Sequence, residues 1–138
     1  EAGGVFRDLG NRLYLRPSTP PRFILEEAVA SINRLLELDD REICYAHFGI
    51  HRSSHEMLRH YKEQIYLWRD VISDQMQSGE DRDLLERCRE ALLERDPLFG
   101  SLSELRDEER TRELYFLGNN IRGFVEYLSS TSGGSGKA

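Results

Sequence analysis

Lysine is nearly absent from this chain, with Lys62 and Lys137 its only two, and the formal net charge is −6. Its arginines are scattered rather than gathered into blocks, so there is no basic stripe of the kind a nucleic-acid-binding surface needs. No apolar run approaches the roughly 20 residues required to span a bilayer, and no signal peptide is visible. The expected partners therefore include neither nucleic acid nor membrane, and the expected setting is soluble and cytoplasmic. Two cysteines are too few for a disulfide framework. Cys44 and Cys88 fall inside apolar patterns and read as small buried hydrophobes. The chain also lacks a nucleophile elbow, a Gly-rich phosphate loop, a Cys-x-x-Cys and a His-Glu-x-x-His. Gly3-Gly4 alone is too little to cradle a phosphate. No catalytic residue is assigned within these 138 residues, a length that makes one domain or part of one.

What is present centres on Glu42 to Tyr61. Ile43-Cys44-Tyr45-Ala46-His47-Phe48 is a short apolar run closed by Gly49, which reads as a largely buried strand ending in a loop. Behind it a helix opens, with Ser53 as N-cap, Glu56 three residues on and apolar periodicity from Met57. This places His47 at the C-terminal end of a buried strand, where ligands and metals collect in layered α/β architectures. Taken alone, His47 has a plainer reading as a packed, hydrogen-bonded histidine.

Ahead of this stretch, residues near Val5 and Leu13 to Arg16 read as short strands, the second stopped by Pro17. Ser18 to Pro21 is an extended connector. A first helix is predicted from Leu25 to Leu38, with Ala28, Val29, Ile32, Leu35 and Leu36 as its apolar stripe. The second runs from Ser54 to about Gln77, through Tyr61, Ile65, Trp68 and Ile72, and stops at Ser78-Gly79. The third spans about Asp81 to Arg95 and is ended by Asp96-Pro97. Leu98 to Ser101 then connects to a last helix, from Ser103 or Asp107 to Leu128, with Leu114, Leu117, Ile121, Phe124 and Val125 inward. Gly118 and Gly123 on this helix suggest a close contact or a kink.

All four histidines lie within positions 47–60. His51 and His55 would be i,i+4 neighbours if the helix began early, a spacing that can chelate a metal; a solvated histidine in the first turn is the plainer reading. His60 lies beside the apolar stripe and is expected to face solvent. The Glu/Asp/Arg alternation from Glu104 to Glu113 reads as a solvated helix face with i,i+4 pairs. Tyr61, Trp68, Tyr115 and Phe124 read as core rather than as a cofactor box.

Four segments carry a resemblance in their order: Glu1-Ala2-Gly3-Gly4-Val5-Phe6, Leu15-Arg16-Pro17-Ser18-Thr19-Pro20-Pro21-Arg22-Phe23, the run from Ala28 to Leu38, and Ile43 to Gly49. Together they resemble the C-terminal half of metallo-beta-lactamase-fold hydrolases over roughly residues 1–60, and the long helix bearing Trp68 looks like the helical extension some members carry. In that family a carboxylate closing a Gly-Asp turn bridges two metals, and a later strand ends in a Gly/Ala-His-Gly/Phe-Gly pattern that delivers the last metal-ligand histidine. The resemblance assigns that last ligand to His47. It puts Glu1, one methylene longer, where the bridging aspartate stands. The His-x-His-x-Asp-His cluster supplying most ligands is absent and would lie upstream of Glu1.

The resemblance implies a longer parent protein. There a metal-bound hydroxide, on zinc or another divalent cation, would attack an ester, thioester, amide or phosphodiester of a small-molecule substrate. The present chain would be inactive alone and hold no metal tightly, because a catalytic zinc site needs three protein ligands and a water position. The expected fold is α+β and mainly helical: the C-terminal portion of an αββα sandwich over residues 1–52, an antiparallel helical subdomain over 53–129, and a disordered Gly/Ser-rich tail over 130–138. Without the missing half, the isolated chain is expected to self-associate. A non-catalytic helical interaction module is the alternative, resting on the three amphipathic helices and the acidic surface.

Overall fold

Residues 3–19, 22–46 and 48–133 are described by the computed structural model. The chain begins with a hairpin of β1 (Val5–Asp8) and β2 (Leu13–Arg16), paired antiparallel with Phe6 opposite Leu15 and Arg7 opposite Tyr14. Side chains alternate across a strand, so this register puts Phe6 and Leu15 on one face and Val5, Arg7, Tyr14 and Arg16 on the other. Both faces are covered. Phe6, Tyr14 and Leu15 are fully buried, and Arg16 nearly so. An Asp8 carboxylate oxygen accepts from the Gly10 amide at 2.8 Å to close the turn.

Helix α1 (Leu25–Leu36) follows, then a second small hairpin of β3 (Ile43–Cys44) and β4 (Ile50–His51). Helix α2 (Ser54–Gln77) is the spine. It packs against α1, β2, α3 (Leu84–Arg95) and α5 (Asp107–Ser132). A short α4 (Pro97–Gly100) and a 3₁₀ turn (Ser101–Glu104) lead from α3 to α5. The chain is thus mainly helical, with a few short antiparallel strands. One core joins hairpin and helices, with Phe6, Leu15, Ile32, Trp68, Cys88, Phe99 and Phe124 all buried within it.

The bounds of α2 agree with the sequence because its signals are local. The Ser53 hydroxyl accepts from the Glu56 amide at 3.1 Å, and Gly79 at φ +68° ends the helix in the left-handed region glycine favours. Arg87 adds a device the sequence does not advertise. Its buried guanidinium donates to the Gln75 carbonyl at 2.7 Å and the Ser78 hydroxyl at 2.6 Å, satisfying the last turn of α2.

Several expectations are corrected. The strand expected over Ile43 to Phe48 is confined among the described residues to Ile43–Cys44, and it pairs with β4. It is covered on one side only: Ile43 and Tyr45 are half-buried, whereas Cys44 and Ala46 are exposed. Cys44 is therefore not a core residue, while Cys88 is, its thiol pushed up to about 11 by burial. Helix α1 ends at Leu36, because the Glu37 and Leu38 amides bond back three residues, to Arg34 and Leu35, in a tightening last turn. Leu35 is exposed rather than inward. Helix α3 starts later, at Leu84, where Asp83 caps it by accepting from the Leu85 amide at 2.8 Å.

The expected connector after Asp96 is helical. Pro97 stops α3 yet suits the first position of α4, with Asp96 as its cap. Leu114 and Tyr115 of α5 point outward, Tyr115 being 75% exposed. The helix also continues past Leu128 to Ser132, beyond the start of the expected disordered tail; residues 134–138 lie outside the described residues. At Gly123 the close contact is real. A Cβ there would meet the Thr19 hydroxyl at 2.7 Å, so the helix approaches the connector between hairpin and α1 rather than another helix.

Candidate functional site

A cleft of about 620 Å³ opens between α5, the connector after β2 and the loop before β4. Its base is polar and buried. The hairpin face bearing Arg7, Tyr14 and Arg16 looks onto α5, where Glu109 and Glu113, four residues apart, project toward it. The Arg16 guanidinium forks onto the Glu113 carboxylate, with Nε to Oε2 and Nη2 to Oε1, and the Tyr14 hydroxyl donates to the same carboxylate at 2.7 Å. Burial first, and the adjacent Glu113 charge second, push the Tyr14 hydroxyl far above its ordinary range. It therefore stays a neutral donor.

Beside this pair, Asn120 ties α5 to the connector. Its Nδ2 donates to the Pro17 carbonyl at 3.0 Å, and its Oδ1 accepts from the Thr19 amide and hydroxyl, both at 3.3 Å. Val5, Phe48, Phe116, Arg112 and Arg122 complete the rim. Phe48 is notable for its backbone, at φ +68°, a conformation that a bulky non-glycine residue adopts only at a cost. Its ring lies 3.6 Å from the Arg7 guanidinium, which also pairs with Glu109 at 2.9 Å. The loop before β4 is thereby linked through Arg7 to α5.

Of the residues singled out from the sequence, His47 and Glu1 lie outside the described residues. Of the described residues next to them along the chain, Phe48 lines the cleft, Ala46 is exposed and not part of its lining, and Gly3 faces the Tyr45 ring. His51 and His55 have separate hydrogen-bond partners. His51 Nδ1 accepts from the Ser53 amide at 3.2 Å and its ring sits edge-on to Phe6, whereas His55 Nε2 donates to the Leu38 carbonyl at 2.7 Å. His60 is half-buried rather than open to solvent.

Among the described residues, no three His, Cys, Asp or Glu side chains come together to hold a metal ion. Gly3-Gly4 is a packing device: a Cβ on Gly4, at φ +78°, would lie 2.5 Å from the Arg16 carbonyl and 2.9 Å from the Tyr61 ring.

Sequence reading missed the base of the cleft by assigning Glu113 to a solvated face. That face does exist, in the exposed Arg110–Asp107 pair, but Glu109 is largely covered by the hairpin and Glu113 is 7% exposed. The available signal was its phase. Glu113 falls on the same stripe as Leu117, Ile121 and Phe124, and a charge on an apolar stripe implies a buried partner.

Compared with protein-family models, curated proteins and solved structures, the chain matches none. Among the described residues no helix is long and apolar enough to cross a membrane.

Proposed function

We propose that this chain is the closing part of a metal-dependent hydrolase of the metallo-beta-lactamase fold, supplying His47, with Glu1 as a second candidate, to a site whose other ligands lie upstream, and adding a helical wall to its substrate cleft. The observation that carries the reading is Phe48: the residue that follows His47 is held in a strained conformation against Arg7 and lines the cleft. Strain of this kind, of about 1–3 kcal/mol, persists where surrounding structure over-determines it, and it clusters at functional sites. A small-molecule substrate and zinc or another divalent cation follow from the same reading.

The test begins with the coding sequence upstream of Glu1, where His-x-His-x-Asp-His should be encoded. In the protein containing it, His47→Ala should lower metal content and ester hydrolysis together, while His60→Ala should change neither. Equal, near-wild-type behaviour of the two variants would remove His47 from the site.

The exposed run Leu114, Tyr115 and Phe116 on α5 favours a second reading, a non-catalytic helical interaction module. It takes over if no such histidine cluster is encoded upstream.

A further inference from the structure

The cleft has a charge pattern that its polar base does not account for. Three arginines and two glutamates line it, and Arg16 and Glu113 neutralise one another at its floor. That leaves Arg112 and Arg122 against Glu126, a local cationic excess on a chain whose net charge is −6. Arg122 spends one nitrogen on the Asn119 side chain at 3.2 Å; Arg112 enters no hydrogen bond or ion pair among the described residues. Both are exposed, so their guanidinium donors are available at the rim. Phe116 is 41% exposed and shares the cleft with Phe48 and Val5, supplying an apolar wall. Planar guanidinium groups bind carboxylate and phosphate through paired, charge-assisted hydrogen bonds. Ligand sites combine such a polar anchor with mostly apolar walls.

We propose that this cleft binds a small organic anion, a carboxylate or phosphate ester with an aromatic or branched aliphatic body. Arg112 and Arg122 take the anionic end, and the body lies against Phe116. As a substrate class this rests on the hydrolase reading; the binding itself does not, since every residue invoked belongs to the chain at hand.

The experiment is calorimetric titration of this chain with 1-naphthyl phosphate, with neutral 1-naphthol and inorganic phosphate as the stripped-down probes. Naphthyl phosphate should bind at least roughly tenfold more tightly than either, the equivalent of one charge-assisted contact. Arg112→Ala and Arg122→Ala should each weaken naphthyl phosphate several-fold and leave naphthol unchanged. Phe116→Ala should weaken both aromatic probes. Both arginines and Phe116 are exposed, and unchanged thermal unfolding checks that the variants fold.

Equal binding of naphthyl phosphate and naphthol, no binding of either, or wild-type affinity in both arginine variants would overturn the proposal. Equal binding of inorganic phosphate would overturn its apolar half. None of these outcomes bears on whether metal ligands are encoded upstream, so the two readings fail separately.

Discussion

Arg16 and Glu113, 97 residues apart, form a buried, two-pronged ion pair that fastens the first hairpin to the last helix. Removing one partner leaves an uncompensated buried charge, which typically costs about 3–5 kcal/mol, whereas replacing both by apolar groups of similar volume is often close to neutral. Arg16→Ala and Glu113→Ala should therefore each lower the urea midpoint strongly, and Arg16→Met combined with Glu113→Leu should recover part of the loss, held short by the buried Tyr14 hydroxyl left without its acceptor. A double variant as unstable as the sum of the single ones would show that the two residues act independently.

Gly4 and Gly79 share a positive φ but not an environment. A Cβ on Gly4 runs into the Arg16 carbonyl and the Tyr61 ring, whereas one on Gly79 meets nothing within 4 Å. Gly79→Ala should cost only the left-handed penalty, roughly 1–2 kcal/mol. Gly4→Ala should cost that and a steric term besides, since the nearest obstacle is backbone and cannot swing aside, for a total above about 2 kcal/mol. Chemical unfolding of the two variants gives the comparison, and equal losses would mean that the hairpin yields where the geometry says it cannot.

What was legible in the sequence was what neighbouring residues decide. Helix α2 is readable because its cap, its periodicity and its terminating glycine lie within its own span or directly beside it. Asp96 shows the opposite case. Its carboxylate caps α4 through the Leu98 and Phe99 amides and also accepts from Trp68 Nε1 at 2.7 Å and Gln64 Nε2 at 2.8 Å. From sequence it was only a helix-ending Asp-Pro step, since its partners on α2 lie about 30 residues away and nothing local announces them. The same limit hid Glu113, whose partners come from the first hairpin. Strand β3 was misjudged for a different reason. Apolar residues at Cys44 and Ala46 suggested two covered faces, but the small hairpin has a neighbour on one face only.

The Tyr127 hydroxyl donates to Glu26 at 2.5 Å and so joins α5 to the first turn of α1. That bond is the main cause holding the Glu26 carboxyl below its ordinary value. Burial, followed by the bond to Glu26, pushes the Tyr127 hydroxyl up to about 12. A depressed carboxyl contributes stability that is present above its unfolded value and lost as the pH falls through the folded one. A raised hydroxyl contributes stability that is present below its unfolded value of 10.0 and lost as the pH rises through about 12. Tyr127→Phe should thus be less stable than wild type across the neutral range, with the difference closing both in acid below the ordinary carboxylate range and in strong base. Because Glu26 is exposed, solvent screening should keep the difference under about 1 kcal/mol. Thermal unfolding of both proteins against pH gives the profile, and a pH-independent difference would assign the effect to packing alone.

Leu35 and Leu38 stand 38% and 62% exposed, and together with Ile43, Cys44 and Leu58 they line a second cleft of about 600 Å³. Ile50 is the cross-strand partner of Cys44, so its side chain lies on the same outward face, and it is 61% exposed. Exposed apolar side chains thus stand both at the end of α1 and on the outer face of β3 and β4, with Asp39, Arg41 and Glu42 lining the same cleft. Exposed apolar side chains of this kind favour self-association, most simply as a two-fold dimer in which the same region meets itself. Sedimentation velocity over a tenfold concentration range should show the wild-type chain shifting toward dimer. Leu38→Glu and Ile50→Glu, at positions already open to water, should restore the monomer without lowering the unfolding temperature. If the wild type stays strictly monomeric, the patch does not drive association; if it dimerises and both variants dimerise equally well, the contact lies elsewhere, with the exposed Leu114-Tyr115-Phe116 run on α5 the next surface to change.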